Sequence, residues 1–319
     1  MPLHPQAEAA LQAERDAGAP PLETLTAAQA RARSKAAGDA VPPAGLVARV
    51  EDRRVPGPAD GGVPVRIYWP AAPDGAQPPV LVWFHGGGWV TGDLDGNDAV
   101  CHMLAHAAGA IVVSVDYRLS PEHRFPDGLE DSYAATLWAA NHAAELGGRA
   151  DAVAVGGASA GGNIAAAVAL LARERGGPAL IHQLLVYPVT DCTFETDSYQ
   201  RNGEGYGLSR ASMQWYWRQY LGDELTEAAN PLASPMQAET LVGLPRAHVI
   251  TAEYDPLCDE GEEYGRRLEE EGTPTVATRY PGMLHGFFTR VNVYDDAAKA
   301  ITEAGHQLRI SIAAAAAAR

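Results

Sequence analysis

Six nearly uninterrupted apolar or alternating runs recur from residue 78 onward, and most are separated by stretches long enough for a helix. They are "PPVLVWFH" (78–85), "AIVVSVDY" (110–117), "DAVAVGG" (151–157), "IHQLLVYP" (181–188), "RAHVITAEYD" (246–255) and "TPTVATRYP" (273–281). A strand that is apolar at every position is buried on both faces, which happens when helices cover both sides of a sheet. The intervening segments "DAVCHMLAHAAG" (98–109), "GLEDSYAATLWAANHAAEL" (128–146) and "GNIAAAVALLARERGG" (162–177) read as those helices. Strands alternating with helices predict an α/β fold with a mostly parallel sheet. "VPVRIYW" (63–69) alternates instead, as a half-buried strand does.

Two segments break the alternation. Residues 1–45 are rich in Ala, Glu and Arg, with Leu11, Leu22 and Leu25 at loosely helical spacing, too thin an apolar face for an independent core. Residues 191–235 are aromatic-rich, and Met213, Trp217 and Tyr220 fall on one helical face. We read 1–45 and 191–235 as helices of a cap, and 46–190 and 236–319 as two parts of one core. A last helix is expected from about Asp295, and the alanine run that precedes Arg319 is low in complexity and carries no argument.

Within this frame, Gly157-Ala158-Ser159-Ala160-Gly161 lies between a strand and a helix. A GxSxG at such a turn holds its serine at a strained tip with the hydroxyl exposed, and glycines flank it because a Cβ would strike the neighbouring elements. A serine that attacks an acyl carbon needs N–H donors for the oxyanion that forms. The residue after it, Ala160, supplies one, and a glycine loop after an earlier strand supplies others. "HGGGW", with Gly86, Gly87 and Gly88, is such a loop, its amides unobstructed by side chains.

The serine also needs a base and a group to orient it, expected in the order Ser, acid, His. His182 and His248 stand at strand beginnings and His306 stands in the last helix, which leaves His285 in "YPGMLHGFF", beyond a strand and a glycine-containing loop. Asp255 comes first after the preceding strand, where Pro256 ends the ladder. Asp259 and Glu260 are the other carboxylates in reach, and they suit the first turn of the next helix. Trp89, Phe194, Tyr206, Trp215, Trp217, Phe287 and Phe288 are candidate walls of a substrate pocket. His102 and His106 lie one turn apart but lack the Glu of HExxH, and read as a plain helix face. "YRLSPEHRFPD", with Arg118, Glu122, His123, Arg124 and Asp127, reads as a salt-bridged supporting loop.

A net charge of −16 disfavours nucleic acid and anionic membrane surfaces as partners. Cys101, Cys192 and Cys258 are widely spaced, which argues against a disulfide framework or a zinc site and for a reducing compartment. No signal peptide is legible, and the longest apolar run, 164–172, is too short to cross a bilayer. The expectation is a soluble cytoplasmic protein.

Taken in chain order, "HGGGW", "DYRLSPEHRFP", "GASAGGN", "LLVYP", "DPLCDEGEEY" and "HGF" resemble the hormone-sensitive-lipase family of α/β-hydrolases, the bacterial HGGG carboxylesterases. The resemblance runs from about Val63 onward. It implies an α/β-hydrolase fold with an eight-stranded sheet and a helical cap, the triad Ser159, Asp255 and His285, and an oxyanion hole from the amides of Gly87, Gly88 and Ala160. It further implies hydrolysis of short- to medium-chain acyl esters through an acyl-enzyme, no cofactor, no metal, a small-molecule ester as partner, and a homodimer as a common assembly. An amidase or a dehydratase on the same scaffold is the rival within enzymes. A non-catalytic small-molecule receptor, which resembles the family without the triad histidine, is the rival outside it. One departure is Ala158, where the family carries Asp or Glu.

Overall fold

The computed structural model describes residues 2–37, 45–71 and 77–317. Residues 38–44 of the expected N-terminal cap segment and the end of the alanine run lie outside these residues. Eight strands form one sheet in the order β1-β2-β4-β3-β5-β6-β7-β8. They are β1 (Val47–Val55), β2 (Val63–Pro70), β3 (Val80–Phe84), β4 (Ile111–Val115), β5 (Val153–Ala158), β6 (His182–Val186), β7 (Arg246–Tyr254) and β8 (Thr275–Leu284). The first two pair antiparallel, β2 pairs antiparallel with β4, and the rest are parallel.

The uninterrupted apolar runs have the predicted physical basis. In β3, Val80, Val82 and Phe84 enter one buried cluster while Leu81 and Trp83 enter the cluster on the opposite face. Alternate residues of a strand point to opposite faces, so a doubly covered strand is apolar at nearly every position. On one face lie α4 (Asp127–His142), α5 (Ala160–Glu174) and α8 (Cys258–Glu270). The other face is covered by α3 (Asp98–Ala108) and α9 (Asp295–Ala317), with α1 (Pro5–Ala17) at its end. Among the described residues no helix is long and apolar enough to cross a membrane.

Two features differ from the sequence reading. The strand β1 had no counterpart in it: Val47–Val55 is a charged edge strand whose side chains are mostly solvent-facing. Edge strands are commonly charged because charge discourages pairing with other chains, and that charge hides them from hydrophobic patterning. Gly282 (φ +72) lies inside β8 at an irregularity in its pairing with β7, so His285 follows the strand end directly rather than a loop.

The insert folds as α6 (Asp197–Asn202) and α7 (Arg210–Leu221), and the N-terminal segment adds α2 (Ala27–Ala36). Ala30 of α2 packs with Val90 and with Trp215 of α7. Arg31 donates to the carbonyls of Val90 and Ser120 and pairs with Glu122. Arg118 binds Asp127 at 3.0 Å and the buried Asp131 at 2.7 Å, giving the expected salt-bridged loop.

Candidate active site

In an open parallel sheet, strands deliver their following residues to one common edge. Here β3, β5, β6, β7 and β8 are followed directly by His85, Ser159, Tyr187, Asp255 and His285 respectively. Ser159, Tyr187 and His285, remote in sequence, thereby line one cleft, with His85 and Asp255 buried behind it.

Ser159 has φ +58 and ψ −119, outside the comfortable regions for a side-chain-bearing residue, and its N–H is tied to the carbonyl of Val186 at 2.9 Å. Its glycine neighbours are sterically required. A Cβ on Gly157 would lie 2.2 Å from the Gly161 carbonyl oxygen, and one on Gly161 would lie 2.0 Å from that of Phe84. The turn can be this tight only because those two residues have no side chain.

His285 Nε2 lies 2.9 Å from Ser159 Oγ, and its Nδ1 lies 2.7 Å from Asp255 Oδ2. A carboxylate only accepts hydrogen bonds, so Nδ1 carries the proton and Nε2 offers its lone pair to the serine hydroxyl. Asp255 is fully buried, and its other oxygen accepts the N–H of Leu257 at 2.9 Å. Neither alternative carboxylate reaches the histidine. Asp259 accepts the N–H of Ser198 at 2.7 Å, and Glu260 turns inward to accept that of Thr190 at 2.7 Å. Burial pushes the Glu260 carboxyl well above its ordinary pKa. The other histidines lie elsewhere: His182 begins β6 and contacts Ser311, His248 sits within β7, and His306 lies in α9.

Opposite the serine, Gly87 (φ +114) and Gly88 (φ +59) turn the chain back beside Ser159. The Gly87 carbonyl accepts the N–H groups of Val90 and Thr91 at 3.1 and 2.9 Å, which closes the loop. Among the described residues, the amides of Gly87, Gly88 and Ala160 have no protein acceptor, so they are free to receive an anion. His85 braces this loop. Its Nδ1 lies 2.8 Å from the Gly86 carbonyl and its ring stacks on Tyr117 at 4.3 Å. Burial holds its pKa below the usual histidine value, which keeps the ring neutral. Ala158 is buried at the end of β5 and lines the cleft, so no carboxylate precedes the serine.

The cleft has a volume of about 290 Å3. Its walls include Tyr187, Val189, Leu208, Met213, Tyr216, Thr289 and Arg290. None of the aromatic residues expected there lines it. Trp89 stacks face to face on Tyr220 at 4.2 Å and touches Trp217 at 4.8 Å, buried beneath the glycine loop. Trp215 packs with Ala30 and Val90. Phe194 meets Tyr199 at 5.7 Å, and Tyr206 meets Tyr254 at 5.0 Å. Phe287 is enclosed by Tyr187 and Tyr280, and Phe288 stacks on Trp83. Large rings gain most from full burial, so Trp89, Trp215, Trp217, Phe287 and Phe288 anchor the cap and the loops to the core, while Phe194 and Tyr206 are only partly buried. On α7 the cleft instead receives Met213 and Tyr216. A signal for Tyr187 was present, since it directly follows a buried strand at the edge where Ser159 lies, and its ring sits 4.6 Å from that of His285.

Comparison with known proteins adds an independent finding. The family described as alpha/beta hydrolase fold matches residues 81–289. Carboxylic ester hydrolase LipN of Mycobacterium tuberculosis is 45% identical over 263 residues, 81% of this chain and 69% of that protein. Carboxylesterase NlhH of the same organism is 43% identical over 256 residues, 79% of each chain. Among solved structures, a thermostable esterase from Pseudomonas putida ECU1011 superposes with a TM-score of 0.91 at 37% identity, covering 97% of this chain and 98% of its own. The ester-hydrolase EH1AB1 from the metagenome of Lake Arreo superposes with a TM-score of 0.90 at 39% identity, covering 96% and 98%.

Proposed function

This chain belongs to the alpha/beta hydrolase family and is a carboxylic ester hydrolase, and from that premise we propose that Ser159, His285 and Asp255 carry the reaction. The observation that supports the assignment is the continuous relay from Ser159 Oγ through His285 to Asp255, with separations of 2.9 and 2.7 Å. Ser159 Oγ attacks the acyl carbon as His285 Nε2 takes its proton. The imidazolium so formed is stabilised by the buried Asp255 carboxylate. The tetrahedral oxyanion receives the amides of Gly87, Gly88 and Ala160, each worth about 3 kcal/mol of barrier. His285 then returns the proton to the departing alkoxide, and an acyl-enzyme remains on Ser159. Water, deprotonated by the same nitrogen, attacks that acyl carbon, the acid leaves, and the serine regains its proton.

Short- to medium-chain acyl esters are the substrate class this reading favours. The cleft volume of about 290 Å3 lies at the lower end for small-molecule sites, and Leu208 and Met213 offer apolar surface for an acyl chain. Residues 1–45 and 191–235 form the cap in this reading. It draws support from the packing of Ala30 against Trp215 and from Ser212 Oγ, which donates to Glu23 at 3.1 Å. The net charge of −16 supports a protein that avoids nucleic acid and works in aqueous surroundings.

The test is Ser159→Ala assayed on p-nitrophenyl butyrate. Turnover falls by about a thousand-fold or more while the far-ultraviolet circular dichroism stays unchanged. Undiminished turnover would remove Ser159 from the mechanism. In the same assay, acetyl to hexanoyl esters turn over faster than the dodecanoyl ester.

A further inference from the structure

Among the described residues that line the cleft, Arg290 alone carries a permanent charge. It stands five positions after His285, on the segment that also brings Gly286 and Thr289 to the wall. A Cβ placed on Gly286 would lie 3.9 Å from Arg290 Nε, so the side chain runs back beside the catalytic histidine. Arg290 pairs with Glu14 of α1 at 3.2 Å, each of these side chains 47% exposed, and its guanidinium also interacts with the Tyr294 side chain. Glu14 also faces the insert, since a Cβ on Gly207 would lie 3.7 Å from its Oε2. The pair therefore sits at the cleft mouth, where the N-terminal helix and the insert meet.

An exposed ion pair of this kind contributes little to stability, so exchanging Glu14 for another carboxylate costs little. A guanidinium forms two parallel hydrogen bonds with a carboxylate, and a ligand carboxylate held inside the cleft is better shielded from solvent than Glu14 is. The chain's net charge of −16 opposes anionic ligands at long range, but salt screens exposed charges beyond roughly 8 Å at physiological ionic strength. At the cleft itself the guanidinium dominates.

We propose that Arg290 selects esters that carry a free carboxylate: half-esters of dicarboxylic acids, or acyl esters of hydroxy acids, with Glu14 occupying the carboxylate position when no such substrate is bound. The inference rests on Ser159 being the nucleophile. In the reaction the ester C–O bond breaks, water supplies hydroxyl to the acyl carbon and a proton to the alkoxide, and the second carboxylate is recognised but unchanged.

The experiment measures kcat/KM by pH-stat for two matched pairs. Monomethyl adipate against methyl hexanoate places the charge on the acyl side; γ-acetoxybutyrate against butyl acetate places it on the alcohol side. The readout is the anionic-to-neutral ratio within each pair. Arg290→Met lowers the ratio about ten-fold in at least one pair, mainly through KM, as expected for a lost charge-assisted hydrogen bond. Arg290→Lys restores part of it, and added salt lowers the wild-type ratio. Glu14→Gln raises the ratio by removing the competitor. If Arg290 only tethers α1, both variants break the same ion pair and move the ratio alike; opposite signs are required here. Ratios within about two-fold of wild type for Arg290→Met in both pairs would overturn the inference while Ser159-dependent turnover stands. Turnover that survives Ser159→Ala would instead overturn the reading beneath it.

Discussion

Replacing Gly88 by alanine tests whether the glycine loop works as an array of donors held by the cap. Gly88 has φ +59, and a Cβ there would lie 2.0, 2.3 and 2.4 Å from Cδ1, Cγ and Cε1 of Tyr216. Carbon atoms pack at about 3.5 Å or more, so ring and loop must separate by about 1.5 Å. Left-handed backbone costs alanine about 1–2 kcal/mol, and overpacking costs about 1–3 kcal/mol more. The sum, about 2–5 kcal/mol, is below the usual stability of a domain of this size, so the variant folds with a lowered urea midpoint. The loop carries the Gly88 amide, and a shift of this size removes a donor from the oxyanion, lowering kcat by about a hundred- to a thousand-fold. The control is Gly109→Ala at the end of α3, with φ +62 and nothing within 4 Å of its Cβ. It has nearly the same backbone strain without the collision, loses only about 1–2 kcal/mol, and retains kcat. Combining Gly88→Ala with Tyr216→Ala recovers part of the lost stability, because the ring that collides is gone. A Gly88→Ala enzyme that keeps kcat within about three-fold of wild type would refute the donor argument.

Asp255→Asn leaves the fold intact but removes the charge that stabilises the His285 imidazolium, and kcat on p-nitrophenyl butyrate falls by about a thousand- to ten-thousand-fold. The second concerns acid stability. Burial holds His182 down to about 3, below the ordinary histidine value of 6.5. The unfolded chain therefore binds this proton first; the stabilisation is complete above pH 6.5 and declines as pH falls from there toward about 3, by up to about 1.4 kcal/mol per pH unit. Urea midpoints measured between pH 7 and pH 4 fall for the wild type and fall less steeply for His182→Asn; equal slopes would exclude His182 as the titrating group. His85, also held low by burial, contributes a slope of the same sign that the variant keeps.

Much of this molecule is dictated by short-range requirements that can be read from the chain itself. A strand covered on both faces is apolar at nearly every position, so β3, β4 and β5 are visible as runs, and β6 is visible after its opening His182 and Gln183. A serine at φ +58 needs flanking residues without Cβ atoms, so Gly157 and Gly161 mark the elbow. Strand order and the common edge then bring forward Asp255 and His285 as partners. Two things escaped. The strand β1 is charged because it is an edge, and charge erases the periodic signal. The cleft walls escaped because burial of an aromatic ring depends on what stands opposite it, and no local pattern records that. Trp89, Trp215 and Trp217 turn into the core while Tyr216, on the same helix as two of them, turns over Gly88. Only the packed assembly could also set Ser159 against a histidine 126 residues away and bring Glu14 to Arg290 across 276. Backbone geometry is a near-neighbour property, whereas the face a side chain presents is settled by every element packed around it.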